Sequence, residues 1–229
     1  MRIAIHQPNY LPWIGYFFKI LESDVFIFLD DVQFSKNSYQ NRVKIKTPQG
    51  QKWLTQSVQR PNGLSTLTNE VVFSENCWFI KHKKTLQANY GKAKYFDEVM
   101  SEVFSKLLID NPNQSEINIE LIKAILNYLG IQKTLNLSSE FKVDSESNKR
   151  LIELVKKAGG TTYVHGKGGL NYQENELFEK ESIAIEMTKF THPTYDQQWG
   201  DFEVGLSIID LLMNSGRDSI NVLYGSGKV

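Results

Sequence analysis

At 229 residues, 41% of them apolar, the chain is long enough to bury one large core, and a single domain over residues 1–229 is expected. Its 26 Lys and Arg offset 26 Asp and Glu, so it lacks the basic surface of a general nucleic-acid binder, and no nucleic-acid partner is expected. One cysteine, Cys77, excludes an internal disulfide, and neither a signal-like start nor an apolar run of about eighteen residues is present, so a cytoplasmic protein without a membrane span is expected.

A short apolar strand, residues 2–5, runs straight into His6-Gln7-Pro8-Asn9-Tyr10-Leu11-Pro12. Pro12 bars a helix before it, and the apolar spacing predicts one from Trp13 to Leu21. The continuous apolar run from Asp24 to Leu29 is that of a strand buried on both faces, and it ends in Asp30-Asp31-Val32-Gln33-Phe34. Alternation over Asn41–Lys46, a turn at Pro48-Gln49-Gly50 and a run from Lys52 to Val58 predict a β-hairpin, with a further short strand at Val71–Phe73.

Trp78, His82, Leu86 and Tyr90 share one face of a helix. Amphipathic helices are predicted over 98–108 and 117–129, the second stopped by Gly130. A strand near 135–139, a helix over 149–158 closed by Gly159-Gly160, strands at 161–165 and 183–187, and a late helix over 204–213 complete the pattern. Alternating strands and helices define an α/β class: a mostly parallel sheet flanked by helices, with a β-hairpin insertion near residues 41–73.

Ligands of open parallel sheets bind outside the carboxyl ends of the strands, which singles out the exits. His6, between a strand and a proline-stiffened loop, is a candidate general base or phosphate contact; capping of the strand end is its plain structural alternative. Asp30 and Asp31 repel one another, and strand alternation turns one toward the site, as a base, a magnesium contact or a partner of Arg42. Gln33, Asn41 and Arg42 offer amide and guanidinium donors suited to phosphate or carboxylate.

The bend Gly166-Lys167-Gly168-Gly169 places backbone N–H groups and one charge where an anion could sit, although it lacks Walker A spacing. Ser138-Ser139 and the helix start at Ser147–Arg150 are further possible anion cradles. His82 reads as a hydrogen-bonded core histidine, no pair of histidines has metal-ligand spacing, and Cys77 lacks the context of a nucleophile.

The motifs IHQPNYLPWIGYF (5–17), DVFIFLDDVQF (24–34), QNRVKIKTPQG (40–50), WLTQSV (53–58), GGTTYVHGKGGLNY (159–172) and LSIIDLLMNSG (206–216) resemble those of the WbqC-like family, bacterial proteins often encoded among genes for O-antigen and other surface polysaccharides. The resemblance covers nearly the whole chain. It implies a transferase role in lipopolysaccharide assembly: forming an amide by moving an acyl or aminoacyl group onto the amine of a nucleotide-linked deoxyamino sugar.

On that reading His6 is the base, with Asp31 the alternative. Gln7, Asn9, Gln33 and Asn41 orient the sugar or polarise the carbonyl, Tyr10 and Trp13 present flat faces, and Asp30, Arg42 and the 166–169 bend complete the site. The partner is a small nucleotide sugar; no metal site and no firm cofactor are expected beyond an activated donor. A fainter likeness of the opening segment to pantothenate synthetase leaves an ATP- and magnesium-dependent ligase or nucleotidyl transferase as an alternative, and a non-catalytic sugar-nucleotide binding protein is a separate one.

Overall fold

The structure, a computed structural model, describes residues 1–75, 77–105, 111–168 and 174–225. In chain order the first elements are β1 (Arg2–His6), α1 (Ile14–Leu21), β2 (Val25–Phe28), the antiparallel pair β3 (Arg42–Thr47) and β4 (Gly50–Thr55), and the short strands β5 (Val58–Gln59) and β6 (Val72–Phe73). Next come helices α2 (Trp78–Tyr90), α3 (Phe96–Glu102) and α4 (Gln114–Tyr128), then β7 (Thr134–Leu137), α5 (Ser147–Lys157), β8 (Thr162–His165), α6 (Asn175–Lys180), β9 (Ala184–Met187), α7 (Ile208–Ser215) and α8 (Ser219–Gly225).

Strands β7, β2, β1, β8 and β9 pair in that order, all parallel. The chain therefore steps outward from β1 through β2 to β7, then crosses back to the other side of β1 for β8 and β9. That reversal puts the crossovers before β7 on one face of the sheet and those after it on the other. Ala4, Phe26, Phe28 and Val164 point toward α1, α4 and α7, whereas Ile3, Ile5, Val25, Ile27 and Tyr163 point toward α5 and α6. The period-two alternation of strand side chains feeds both cores from the same residues, which is why these strands read as unbroken apolar runs.

The β3–β4 hairpin packs Val43, Ile45 and Leu54 into the first core. Its opposite face carries Arg42 and Lys44 over the ring of Trp53, at 4.3 and 5.5 Å. Two side chains of α4 clamp the insertion to the β1 exit. Asn118 Nδ2 donates to the carbonyls of Pro8 (3.0 Å) and Gln40 (2.8 Å), and Gln114 donates to Gln40 and to Gln56 Oε1. From the other side Ser207, the N-cap of α7, donates to the Leu11 carbonyl at 2.7 Å. The loop between these anchors tolerates Leu11 at φ +39°, a conformation a leucine holds only when its surroundings over-determine it.

Most element expectations agree with this fold, and the disagreements have local causes. The late helix begins at Ile208, not 204, because Gly205 is left-handed (φ +73°) and the Ser207 hydroxyl accepts from Ile209 N. Helix α3 starts at Phe96, with Asp97 and Glu98 favourably placed in its first turn, and ends at Glu102 rather than 108. Residues 106–110 lie outside the described residues. Helices α6 and α8, of six and seven residues, were not anticipated; they are too short to establish a period.

Where α5 returns to β8, Gly160 passes so close to the sheet that a Cβ there would sit 2.2 Å from Ile3 Cγ1. Gly160→Ala is expected to destabilise the fold by about 1–3 kcal/mol, read as a lower urea midpoint, because neither strand nor helix can retreat from a close-packed contact.

Candidate functional site

The strand order changes direction between β1 and β8, and a cleft of about 610 Å³ opens at the carboxyl ends of those two strands. This is the topological switch point, where the exits of neighbouring strands diverge and leave a crevice in an open α/β sheet. His6 and Ile5 reach it from β1, Trp13, Gly15, Tyr16 and Lys19 from α1 and its approach, and Tyr163, His165 and Gly166–Gly168 from β8 and its exit. Thr188, Phe190, Thr191 and His192, just after β9, close the far wall.

His6 is half-buried, its ring edge-on to Tyr16 (4.9 Å between centroids) and Trp13 (5.8 Å). Its Nδ1 lies 3.2 Å from the Gln7 carbonyl, which only accepts, so Nδ1 carries the proton and Nε2 keeps its lone pair. His165, buried at the end of β8, repeats the arrangement, with Nδ1 2.9 Å from the Gly166 carbonyl. Burial holds the His6 imidazole well below its usual pKa, and the Lys19 ammonium adds to the shift; the same two causes lower His165. Both rings are therefore neutral at pH 7. His192 differs: Nδ1 donates to the Pro193 carbonyl and Nε2 accepts from Gly205 N, so both nitrogens are committed to structure.

Lys19 is the group that sequence reasoning missed. It is 6% exposed, yet its Nζ has one hydrogen-bond partner among the described residues, the Ile5 carbonyl at 3.0 Å, and otherwise only the Phe26 ring 5.9 Å away. Removal from water lowers its pKa to about 7. Between pH 7 and 10 the unfolded chain therefore holds a proton that the folded chain has released, so stability rises with pH across that window. Lys19→Met should remove this rise, roughly 2–5 kcal/mol by linkage, and should be the more stable protein at pH 6. Urea titrations of both proteins at pH 6, 7.5 and 9.5 check it.

The other expected site residues divide into three groups. Trp13, Gly166, Lys167 and Gly168 line the cleft with His6, while Gly169 lies outside the described residues. A ladder of rings leads out of the cleft: Trp13 to Tyr39 at 4.8 Å and Tyr39 to Trp53 at 5.7 Å, with Arg42 over Trp53. Arg42 thus stands at the end of this aromatic rim. Gln7 contributes its carbonyl, which also accepts from the Tyr16 hydroxyl at 3.0 Å.

Asp30 and Asp31 do not line the cleft. Asp30 is buried and its carboxylate accepts from Ser138 Oγ (3.0 Å), Ser139 N (3.0 Å) and Ser139 Oγ (2.7 Å). The serine pair read as an anion cradle does cradle an anion, the protein's own. Asp31 pairs with Arg150 of α5, not Arg42, and competes with Asp30 for the single Ser138 hydroxyl proton. With its oxygens so engaged, Asp31 is not placed to act as a base in the cleft.

Tyr10, expected to offer a flat face, is 1% exposed and bonds His82 Nδ1 at 2.6 Å inside the core. Gln33 is exposed and ties to the Leu64 carbonyl at 2.7 Å. Asn9 is buried, and Asn41 is buried and donates to the Gln56 carbonyl at 3.2 Å. Lys19 and His165 had weak sequence signals: a lone cation inside the apolar helix Phe17-Phe18-Lys19-Ile20, and a histidine closing a strand just as His6 does.

A doubly wound α/β protein with a crevice at its β1/β8 switch is thus defined by the fold. The WbqC-like protein family profile matches residues 7–222, and the chain belongs to that family. It is 34% identical over 224 residues to an uncharacterized protein of Mycobacterium tuberculosis, covering 97% of each chain. No solved structure matches. Among the described residues no helix is long and apolar enough to cross a membrane.

Proposed function

We propose that this protein is a transferase of surface-polysaccharide assembly that forms an amide, moving an acyl or aminoacyl group onto the amine of a nucleotide-linked deoxyamino sugar in the β1/β8 cleft. The observation that carries the reading is the state of His6: neutral, its tautomer set by the Gln7 carbonyl, with Nε2 unpartnered among the described residues and beside two aromatic walls. An amine attacking an acyl carbonyl must lose a proton as the C–N bond forms, and a positioned neutral imidazole accepts it. The proton returns from His6 to the leaving group or to water.

The rim supports the same substrate class. Tyr39 and Trp53 are each exposed by more than a third and present faces on which a base or sugar ring can stack. Arg42 and Lys44 beside them suit a diphosphate. The described lining of the cleft includes no carboxylate to hold magnesium, which favours a donor activated before it arrives over activation by ATP in place.

The test is a thermal-shift screen of nucleotide amino sugars, acyl-coenzyme A species, amino acids and ATP, followed by mass spectrometry of paired incubations. A true substrate raises the melting temperature by mass action, and an acceptor–donor pair yields an amide product. If ATP with magnesium is the sole stabilising ligand, the ligase alternative replaces this reading.

A further inference from the structure

The charge inventory of the cleft is one-sided. Lys19, Lys167 and three histidines line it, together with the hydroxyl residues Thr188 and Thr191, while no Asp or Glu is among the described lining residues. In a chain with equal numbers of acidic and basic residues, that segregation sets the cleft apart from the rest of the protein.

The two lysines buried among the described residues differ instructively. Lys46, 2% exposed, donates to Gln197 Oε1 and to the Asp201 carbonyl, and it lies in the field of Asp210. Its charge is answered within the fold. Lys19 is nearly as buried, but among the described residues it donates to one carbonyl and has no carboxylate within ion-pairing distance. An ammonium has three hydrogens to donate, and a buried charge without a counter-ion is costly unless something completes it. Lys19 lines the cleft, so the missing partner is within reach from there.

We infer that Lys19 is the anchor of an oxyanion-binding site in this cleft, with Lys167 at its mouth, and that the oxyanion is a phosphoryl or carboxylate group of the substrate. The site deepens the reading of the cleft as the substrate site, and it rests on that reading only for location. The titratable groups that share the cleft with Lys19 are His6 from β1, His165, Tyr163 and Lys167 from β8 and its exit, His192 beyond β9, and Tyr16 on its own helix. None supplies a negative charge at neutral pH. An arriving anion therefore stabilises the ammonium form, and above pH 7 its binding takes up a proton at Nζ.

The experiment is isothermal titration calorimetry of the full chain with inorganic pyrophosphate and, separately, acetate, at pH 8 in two buffers of different ionisation heat. Binding in either arm, with uptake of up to one proton, upholds the site, and the arm that binds says which group fills it. Lys19→Met should weaken that binding by about tenfold or more, the loss of one charge-assisted bond, and abolish the proton uptake. Lys167→Ala, on an exposed bend where folding is not at risk, should weaken it less, while Lys123→Ala on the far surface of α4 should leave it unchanged. The inference is overturned if neither anion binds at 10-millimolar-class concentration (about 3 kcal/mol of binding), or if a folded Lys19→Met protein binds as the wild type does. Because binding is read without turnover, a failed amide-transfer assay leaves this site standing, and failed anion binding leaves amide transfer to be judged on His6.

Discussion

Replacing His6 with alanine should lower turnover by two to four orders of magnitude, the usual span of a positioned general base, while leaving the unfolding midpoint nearly unchanged. The two effects separate because the ring is half-buried at a strand end, where it makes edge contacts with Trp13 and Tyr16 and one bond to a neighbouring carbonyl. The pH profile gives a second readout. Since burial and Lys19 lower the imidazole pKa, the base form persists through the neutral range, so the acidic limb of kcat/KM should fall well below pH 6.5. Added imidazole should restore part of the activity of His6→Ala. A fully active alanine variant would remove His6 from the mechanism.

The largest stability effect should come from Asp210 on α7, which is fully buried. Its two oxygens accept from Tyr90 and Tyr195, each at 2.9 Å, and the Tyr90 hydroxyl in turn accepts from the backbone N–H of Lys46 at 2.8 Å. One carboxylate thereby ties α7 to α2, to the hairpin and to the 195–203 segment. Asp210→Ala removes the acceptor of the buried Tyr90 and half-buried Tyr195 hydroxyls and the negative charge felt by Lys46, at an expected cost of about 3–5 kcal/mol. Asp210→Asn keeps the shape and one acceptor and should cost less, about 1–3 kcal/mol. Chemical denaturation of the two variants orders them, and an alanine variant as stable as wild type would show that the network adds nothing.

Several parts of the site were visible in the chain because they are local. His6 sits at the end of an apolar strand, Trp13 opens the following helix, and Gly166-Lys167-Gly168 follows another strand. Each is recognisable from a few neighbours. The acidic pair was misread for the same reason. Asp30-Asp31 also sits at a strand exit, but β7 is the neighbour on that side, and Ser138 and Ser139 from its end take up the carboxylate. Nothing near residue 30 announces a partner 108 positions away. Tyr10 was misassigned because a loop tyrosine and a core tyrosine look alike until helix α2 brings His82 against it.

Periodicity and composition act over a few residues, so the α/β class, the parallel character of the buried strands, the hairpin insertion and the polar residues at the strand exits could be read from the order of amino acids alone. Which exits meet could not. Strand order is a long-range choice made by packing two cores against opposite faces of one sheet, and that choice places β8 beside β1 and moves the acids of β2 away from the cleft. The same packing buries Lys19 in an apolar helix with one hydrogen-bond acceptor among the described residues, turning a lysine that looks like a surface residue in sequence into the most chemically unusual group of the cleft.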